Sequence, residues 1–199
     1  FIAMEYIDGV HVSELMRALF PDQMPVEHAV KIISVVAEAL YHAHKLTDRD
    51  GTPLGIVHRD ISPENIMVAH DGQVKLVDFG VARAADQTHK TQAGVLRGKV
   101  AYLSPEQCSS TMKVDHRVDV FALGIVLHEM LCGRRLFKRD SAFTTMRAIC
   151  SGTIPKPSSI RPSVPKRLDD IVLKALARDR EQRYQSADEL NVDLEQVLH

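Results

Sequence analysis

The hydrophobic pattern is strongest in segments that predict helices. After Pro25, six positions follow one another at steps of four and three residues, the period of one helix face: Val26, Val30, Ile33, Ala37, Leu40 and His44. This helix is expected to end near Lys45. Residues 118–131 are apolar almost all round and predict a helix that is buried on most sides. Residues 166–177 are amphipathic, and Ser186 to Glu189 form a capping box that opens a last helix, with Leu190, Leu194 and Val197 inside.

Short apolar runs between these helices predict strands. The first covers residues 1–6, is broken only by Glu5, and is followed by an Asp8-Gly9 turn signal. Three further runs cover residues 55–57, 66–69 and 74–77. Asp71-Gly72 separates the last two runs and is typical of a two-residue hairpin loop. Surface loops are predicted for residues 86–92 and for the proline-rich residues 151–165.

These elements predict a mainly α fold with a few short β-hairpins around one polar loop. The 199 residues, 45% of them hydrophobic, suffice for one domain with a core. With 25 basic and 26 acidic residues the net charge is −1, which excludes bulk electrostatic attraction to nucleic acid or to an anionic membrane. The apolar runs are shorter than the roughly 20 residues of a membrane span. Three widely spaced cysteines predict reduced thiols in a cytoplasmic protein.

The candidate chemistry lies in the polar segment His58–Asn65, between two predicted strands. Asp78 follows Asn65 by thirteen residues, on the far side of the predicted hairpin. Adjacent strand ends can therefore bring Asp60, Asn65 and Asp78 to one site. Amide and carboxylate oxygens suit Mg²⁺ when nucleotide phosphates complete its shell. Asp60 is then left to accept a proton from an attacking hydroxyl.

These residues resemble the motifs of a eukaryotic-like (Hanks-type) Ser/Thr protein kinase. His58–Asn65 is similar to the catalytic loop, and Asp78-Phe79-Gly80 to the metal-binding triplet. Four further segments match, and all six occur in the order of the family. They are residues 1–9 (hinge strand), Ser104-Pro105-Glu106 (end of the activation segment), residues 119–124 (central helix) and Arg183 (partner of Glu106). Ser62-Pro63, in place of the usual Lys-Pro, resembles bacterial members in particular.

The resemblance covers essentially the whole chain and implies a partial kinase domain. Residues 1–9 are expected to be the last N-lobe strand and the hinge, and residues 10–199 the C-lobe of a protein-kinase-like fold. The Gly-rich loop, the strand lysine and its glutamate partner would belong to an N-lobe missing from this chain, so the fragment alone is expected to be inactive. The expected ligands are ATP, Mg²⁺ and a protein substrate. A membrane anchor outside this segment stays open.

The resemblance also implies a role for individual residues. Asp60 would be the catalytic base, with Asn65 and Asp78 holding Mg²⁺. Four residues would form the adenine pocket: Met4, Glu5, Ile7 and Met67. Three residues would be structural: Asp119 would anchor the backbone of the catalytic loop, and Glu106 and Arg183 would form a buried ion pair. His58 would stack on Phe79. His42 and His44 are interpreted as surface and packing residues, and Glu64 either as a reader of basic substrate residues or as a solvated charge.

Two departures from the family pattern suggest one exchange. The usual catalytic-loop lysine is replaced by Ser62, and the usual threonine of the substrate-gripping loop by Lys99, after Gly98. A positive charge is needed on the transferred phosphoryl group, whichever segment supplies it. Our hypothesis is that Lys99 makes the phosphate contact, with Ser62 as its hydrogen-bond partner; the alternative is that Lys99 faces solvent.

Regulation is suggested by basic residues near the activation segment. Arg59 directly precedes the base, and Arg83 matches a second basic position of the family's phosphate pocket. Thr88 and Thr91 lie in the polar loop between, and phosphorylation of either could pair with these arginines and order the segment.

Two other function classes stay open at this point. A non-catalytic pseudokinase or scaffold lobe is disfavoured by the intact Asp60, Asn65 and Asp78. A small-molecule phosphotransferase of the aminoglycoside type would share the fold. The Ser104-Pro105-Glu106 segment, Arg183 and the long activation loop favour a protein substrate instead.

Overall fold

The computed structural model describes residues 5–20, 22–79, 100–109 and 112–198. Its strands are β1 Gly9–His11, β2 Ile66–Ala69 and β3 Val74–Leu76. Its α-helices are α1 Val12–Ala18, α2 Val26–His44, α3 Pro105–Cys108, α4 Arg117–Cys132, α5 Ala142–Ser151, α6 Pro157–Ile160, α7 Lys166–Ala175 and α8 Ala187–Leu198, with a 3-10 turn at Val100–Tyr102. The mainly α prediction is confirmed.

The three strands form one antiparallel sheet in the order β1-β2-β3. Gly9 pairs with Ala69, and a Cβ at Gly9 would lie 2.4 Å from the Val68 carbonyl oxygen. Gly9 is therefore needed for close strand approach, and the turn predicted at Asp8-Gly9 is wrong. Strand pairing begins at Gly9, and residues 5–8 are irregular. Residues 1–4 lie outside the described residues.

The hairpin predicted around Asp71-Gly72 is confirmed, but its loop is longer than two residues. The Ala69 N–H donates to the Gln73 oxygen (2.8 Å), and the Gly72 N–H donates to the Ala69 oxygen (2.9 Å). Gly72 has φ +87°, the left-handed conformation that ends a three-residue hairpin loop. Because His70 joins the loop, Val68 pairs with Val74.

Helix α4 is the centre of the core, and every one of its residues is buried. Helices α2, α7 and α8 pack against it, and α2 also packs along α8. The predicted α2 face is confirmed at its centre, where Val30, Ile33, Ala37 and Leu40 are buried, while Val26 and His44 at its two ends are half-buried. On α8, Leu190 and Leu194 are buried, while Val197 is only partly so. The apolar pattern thus identified the helices that carry the core.

Other elements differ from the predictions for identifiable local reasons. The loop predicted at 151–165 contains α6, which begins with Pro157 in the first turn, where its missing N–H costs no hydrogen bond. Helices α1 and α5 were not predicted; α5 begins after Ser141, whose hydroxyl accepts from the Thr144 N–H. Residues 55–57 form no strand, and Gly55 has φ +62°.

The capping box predicted for α8 is half formed. The Ser186 hydroxyl accepts from the Glu189 N–H at 3.1 Å, as expected. The Glu189 carboxylate instead accepts from the N–H of Gln185, one residue before the cap, at 2.9 Å. The helix begins where predicted, but the Glu189 carboxylate binds the backbone of Gln185 and not that of the cap residue Ser186.

A buried ion pair joins α3 to the segment before α8. The Arg183 guanidinium donates to both oxygens of Glu106, at 2.8 and 3.2 Å, and the two side chains are 0% and 1% exposed. The same guanidinium donates to the carbonyl oxygens of Arg117 and Ala177. Every charge in the pair is thus compensated, which is the condition for burying ions in a core.

We expect Arg183→Met to lower the free energy of unfolding by about 3–5 kcal/mol, because it leaves Glu106 charged and buried without its partner. The matched control is Lys31→Met, which removes a pair with Glu195 whose lysine is 58% exposed. Its expected cost is about 1 kcal/mol or less. Urea denaturation followed by circular dichroism measures both, and equal losses would contradict a special role for the buried pair.

Candidate active site

The candidate site lies where the segment before β2 meets the segment after β3. Ile66 pairs with Leu76 in the β2–β3 ladder, and the Val77 N–H donates to the Asn65 oxygen at 2.9 Å. This pairing continues the ladder past both strand ends. It brings Asn65 and Asp78, thirteen residues apart in sequence, to the same edge of the sheet.

The side chain of Asn65 is held with a defined orientation. Its Nδ2 donates to the Asp60 carbonyl oxygen at 2.6 Å, and Asn65 is buried. Because a carbonyl only accepts, the amide nitrogen must face it, which leaves the amide oxygen as a ligand on the other side. Asp60 itself is partly buried, and Asp78 is exposed with φ +57°. Asp78 thus presents its carboxylate from a left-handed backbone position.

The backbone of the predicted catalytic loop, His58–Asn65, is fixed at its start by Asp119, in the first turn of α4. Its two carboxylate oxygens accept from the N–H groups of His58 (2.9 Å) and Arg59 (2.8 Å). Asp119 is fully buried, so these donors compensate a charge that water does not reach. Arg59 has φ +66°, an unfavourable conformation for a side-chain-bearing residue that Asp119 supports directly.

His58 links the loop to the segment after β3. Its ring centroid lies 4.7 Å from that of Phe79, but the ring planes are tilted by 56°, so the predicted stacking is wrong although the two rings are in contact. Its Nε2 donates to the Val77 oxygen at 3.1 Å. With Nε2 as the donor, Nδ1 is free to accept, and the Asp60 N–H lies 3.3 Å from it. One imidazole therefore connects Asp60 to the backbone beside Asp78.

Helix α3 contacts the same loop from the side of the activation segment. Gln107 Nε2 donates to the Arg59 carbonyl oxygen at 3.3 Å, while Gln107 also closes the capping box of Ser104. The Arg59 N–H thus donates to Asp119 while the Arg59 carbonyl accepts from Gln107, so both backbone groups are held. The Arg59 side chain itself is exposed.

At the predicted adenine pocket, the structure brings Glu5 next to the β2–β3 hairpin. The Glu5 carboxylate forms an ion pair with Lys75, the cross-strand partner of Met67. A cavity of about 340 Å³ lies between residues 5–8 and this hairpin, and both Glu5 and Ile7 line it. Met67 is partly buried and is not among the residues that line this cavity.

Some predicted site residues lie outside the described residues. These are Met4, Arg83, Thr88, Thr91 and Lys99. Ser62, the predicted partner of Lys99, is described and is buried. The roles of these six residues stay predictions.

Sequence reasoning missed the part that His44 plays. It was interpreted as a packing or surface residue, but its Nε2 donates to Asp119 Oδ2 at 2.8 Å and its side chain is 6% exposed. His44 is the last residue of α2, so it connects that helix to the carboxylate under the catalytic loop. Its place in the apolar repeat indicated burial and gave no sign of a polar partner 75 residues away.

The sequence that forms this site also matches known proteins. The family model described as protein kinase domain matches residues 1–194. The tyrosine-protein kinase MasK of Myxococcus xanthus (strain DK1622) is 38% identical over 100% of this chain and 31% of its own length. The serine/threonine-protein kinase PknB of Mycobacterium leprae is 40% identical over 99% of the chain and 30% of its own length. The serine/threonine-protein kinase PrkC of Bacillus subtilis is 36% identical over 98% of the chain and 28% of its own length.

The chain spans less than a third of the length of these relatives. All three are bacterial, which agrees with the bacterial likeness predicted from Ser62-Pro63. In the part of the chain that the structure describes, no helix is long and apolar enough to cross a membrane. With the family model covering 194 of its 199 residues, the chain belongs to the protein kinase domain family.

Proposed function

We propose that this chain supplies the catalytic loop and the metal-binding residues of a protein kinase that transfers the γ-phosphoryl group of ATP to serine or threonine hydroxyls of a protein substrate. The observation that carries the proposal is the β2–β3 ladder, which brings Asn65 and Asp78 to one edge while Asn65 also holds the Asp60 carbonyl. The named relatives are protein kinases.

The donor set at this edge fits Mg²⁺. One amide oxygen from Asn65 and one carboxylate from Asp78 are hard ligands, and Mg²⁺ in kinase sites takes only a few protein ligands beside phosphates and water. The exposure of Asp78 leaves room for a nucleotide. When bound, the metal neutralises charge on the β- and γ-phosphates.

The remaining chemistry is assigned to residues of this chain. The substrate hydroxyl oxygen attacks the γ-phosphorus, the bond from phosphorus to the β–γ bridging oxygen breaks, and ADP leaves. Asp60 accepts the hydroxyl proton, and its backbone is positioned by Asn65 and His58. Backbone groups of Glu5 and Ile7 bind adenine, with Met4 at the back of the pocket and Met67 as its floor. Arg59 and Arg83 are the candidate phosphate-binding pair for regulation.

The acceptor hydroxyl has a specific alternative. MasK is named a tyrosine-protein kinase, whereas PknB and PrkC are named serine/threonine-protein kinases. The Pro63-Glu64-Asn65 segment resembles the serine/threonine type, so we assign serine and threonine. Phosphoamino-acid analysis of the labelled product distinguishes the two, and phosphotyrosine alone would reverse the assignment.

We expect Asp60→Asn to lower the transfer rate by roughly 10²–10⁴-fold, because the amide cannot accept the hydroxyl proton. The measurement is incorporation of γ-labelled phosphate from ATP into a generic basic protein, using the protein expressed from its complete reading frame. Asp50→Asn, in the exposed turn after α2, makes the same chemical change outside the site and should leave the rate unchanged. Label transferred only to a sugar or antibiotic, or transfer that survives Asp60→Asn, would refute the proposal.

The Lys99 hypothesis gives an unequal pair of effects. If Lys99 supplies the cation on the transferred phosphoryl group, Lys99→Met should lower kcat by about 10²–10³-fold, the usual effect of deleting one such contact. Ser62→Ala should lower it only a few-fold. The same labelled-phosphate assay compares the two variants, and equal mild losses would count against the exchange of roles.

The regulatory hypothesis is tested on the protein itself. After incubation with ATP we expect phosphate on Thr88 or Thr91, since Arg59 and Arg83 can pair with the added charge. Mass spectrometry of the peptide spanning residues 86–96 identifies the modified threonine, and the Asp60→Asn protein shows whether the modification is autocatalytic. An unmodified peptide from the active protein would exclude this mode of regulation.

A further inference from the structure

A second buried carboxylate of α4 organises a charged cluster beside the catalytic loop. Glu129 is 0% exposed and accepts hydrogen bonds from the Tyr102 hydroxyl (2.9 Å), the Leu136 N–H (2.9 Å) and the Arg135 guanidinium (3.1 Å). Burial raises the pKa of Glu129 to about 8, because the carboxylate loses its water. Glu129 therefore depends on these three donors when it is charged.

Arg135 is shared between Glu129 and the catalytic loop. Its second terminal nitrogen lies 3.8 Å from the Glu64 carboxylate, and its guanidinium lies over the Tyr102 ring at 5.3 Å from the centroid. The side chains of Arg135 and Glu64 are 39% and 54% exposed, so the cluster opens to solvent. We call the two carboxylates of Glu64 and Glu129 the bridged acid pair, because the Arg135 side chain connects them.

The bridged acid pair lies beside the predicted catalytic loop and close in sequence to the segment expected to bind the substrate. Glu64 lies four residues after Asp60 and directly before Asn65. Tyr102 belongs to the 3-10 turn that follows the segment expected to grip the substrate, only three residues after Lys99. A cavity of about 230 Å³ opens beside Glu129 and Arg135, and Arg17, Phe20 and Arg134 also line it.

Two neighbouring carboxylates with no cation of their own would form charge-assisted hydrogen bonds with an arginine or lysine of a substrate. Here the chain's own guanidinium already lies between them, hydrogen-bonded to Glu129 at 3.1 Å, 3.8 Å from Glu64 and over the Tyr102 ring. A second cation at this place would meet Arg135 as a like charge and would find the space between the two carboxylates occupied.

We propose that Arg135 is a specificity-determining residue. Its guanidinium occupies the space between Glu64 and Glu129, so that the kinase selects protein segments that lack a basic side chain at this subsite. The inference rests on the proposed function and names the substrate class for it. Selection here works by repulsion, because the wrong substrate is rejected and no new contact is made to the right one. A purely structural ion pair would affect stability and leave the choice of substrate unaltered.

The test scans one arginine through a serine peptide and measures kcat/KM relative to alanine at each position. The protein is expressed from its complete reading frame, as wild type and as Arg135→Ala. For wild type the arginine-to-alanine ratio should not exceed one at the subsite. For Arg135→Ala it should rise by about tenfold at that position, equivalent to about 1.4 kcal/mol, because Glu64 and Glu129 then accept the peptide's arginine.

Three further variants give the result its meaning. Arg135→Lys keeps the charge and should keep the wild-type ratio. Adding Glu64→Gln to Arg135→Ala should remove the gain, because half of the acid pair is lost. Arg135→Gln keeps a hydrogen-bond donor for Glu129, so it reports the same gain if Arg135→Ala does not fold; thermal unfolding identifies that outcome.

The possible failures are distinguishable. An unchanged ratio in both Arg135→Ala and Arg135→Gln, with transfer intact, overturns the role of Arg135 and leaves the kinase proposal standing. A wild-type protein that already prefers arginine at the position affected by Glu64→Gln overturns it equally. Absence of transfer to every peptide and to a generic protein overturns the proposed function, and this inference with it.

Discussion

The site depends on the hydrogen bonds that the buried carboxylate of Asp119 accepts. It accepts hydrogen bonds from two backbone N–H groups of the predicted catalytic loop and from the imidazole Nε2 of His44, the last residue of the long helix α2. A fully buried carboxylate is stable only with such donors, so the loop, α2 and α4 must come together as a unit. Its place in the first turn of α4 is also favourable, because the helix dipole is positive there. The conformation of Arg59 follows from this arrangement, since its left-handed backbone directs its N–H to Asp119.

Helix α4 organises the site at both ends with the same physical device. Asp119 near its beginning binds the catalytic loop backbone, and Glu129 near its end binds Tyr102, Leu136 and Arg135. Every residue between them is buried, so the two acids are separated by a rigid, fully packed helix. The backbone of the predicted catalytic loop and the bridged acid pair are consequently held by one element.

Backbone strain is concentrated at the residues assigned to chemistry. In the described residues, the side-chain-bearing positions with positive φ are Arg59 and Asp78, one beside the base and one a proposed metal ligand. Such conformations cost about 1–3 kcal/mol each and persist only where surrounding contacts determine them. For Arg59 those contacts are Asp119 and Gln107, and beside Asp78 they are the tilted ring contact of His58 with Phe79 and the hydrogen bond of the Val77 N–H to the Asn65 oxygen.

The sequence alone predicted the core helices, the hairpin and the ordered set of motifs, because these depend on local periodicity, turn residues and short spacings. It also indicated Glu106 and Arg183 as partners, through their likeness to a family pattern. It could not identify the bond from His44 to Asp119 or the neutralisation of Glu64 by Arg135, because each joins residues about 70 positions apart whose meeting depends on helix packing. Glu64 shows the difference: its place in the loop left both a substrate contact and a solvated charge open. Only the tertiary structure placed Arg135, held by the buried Glu129, against it.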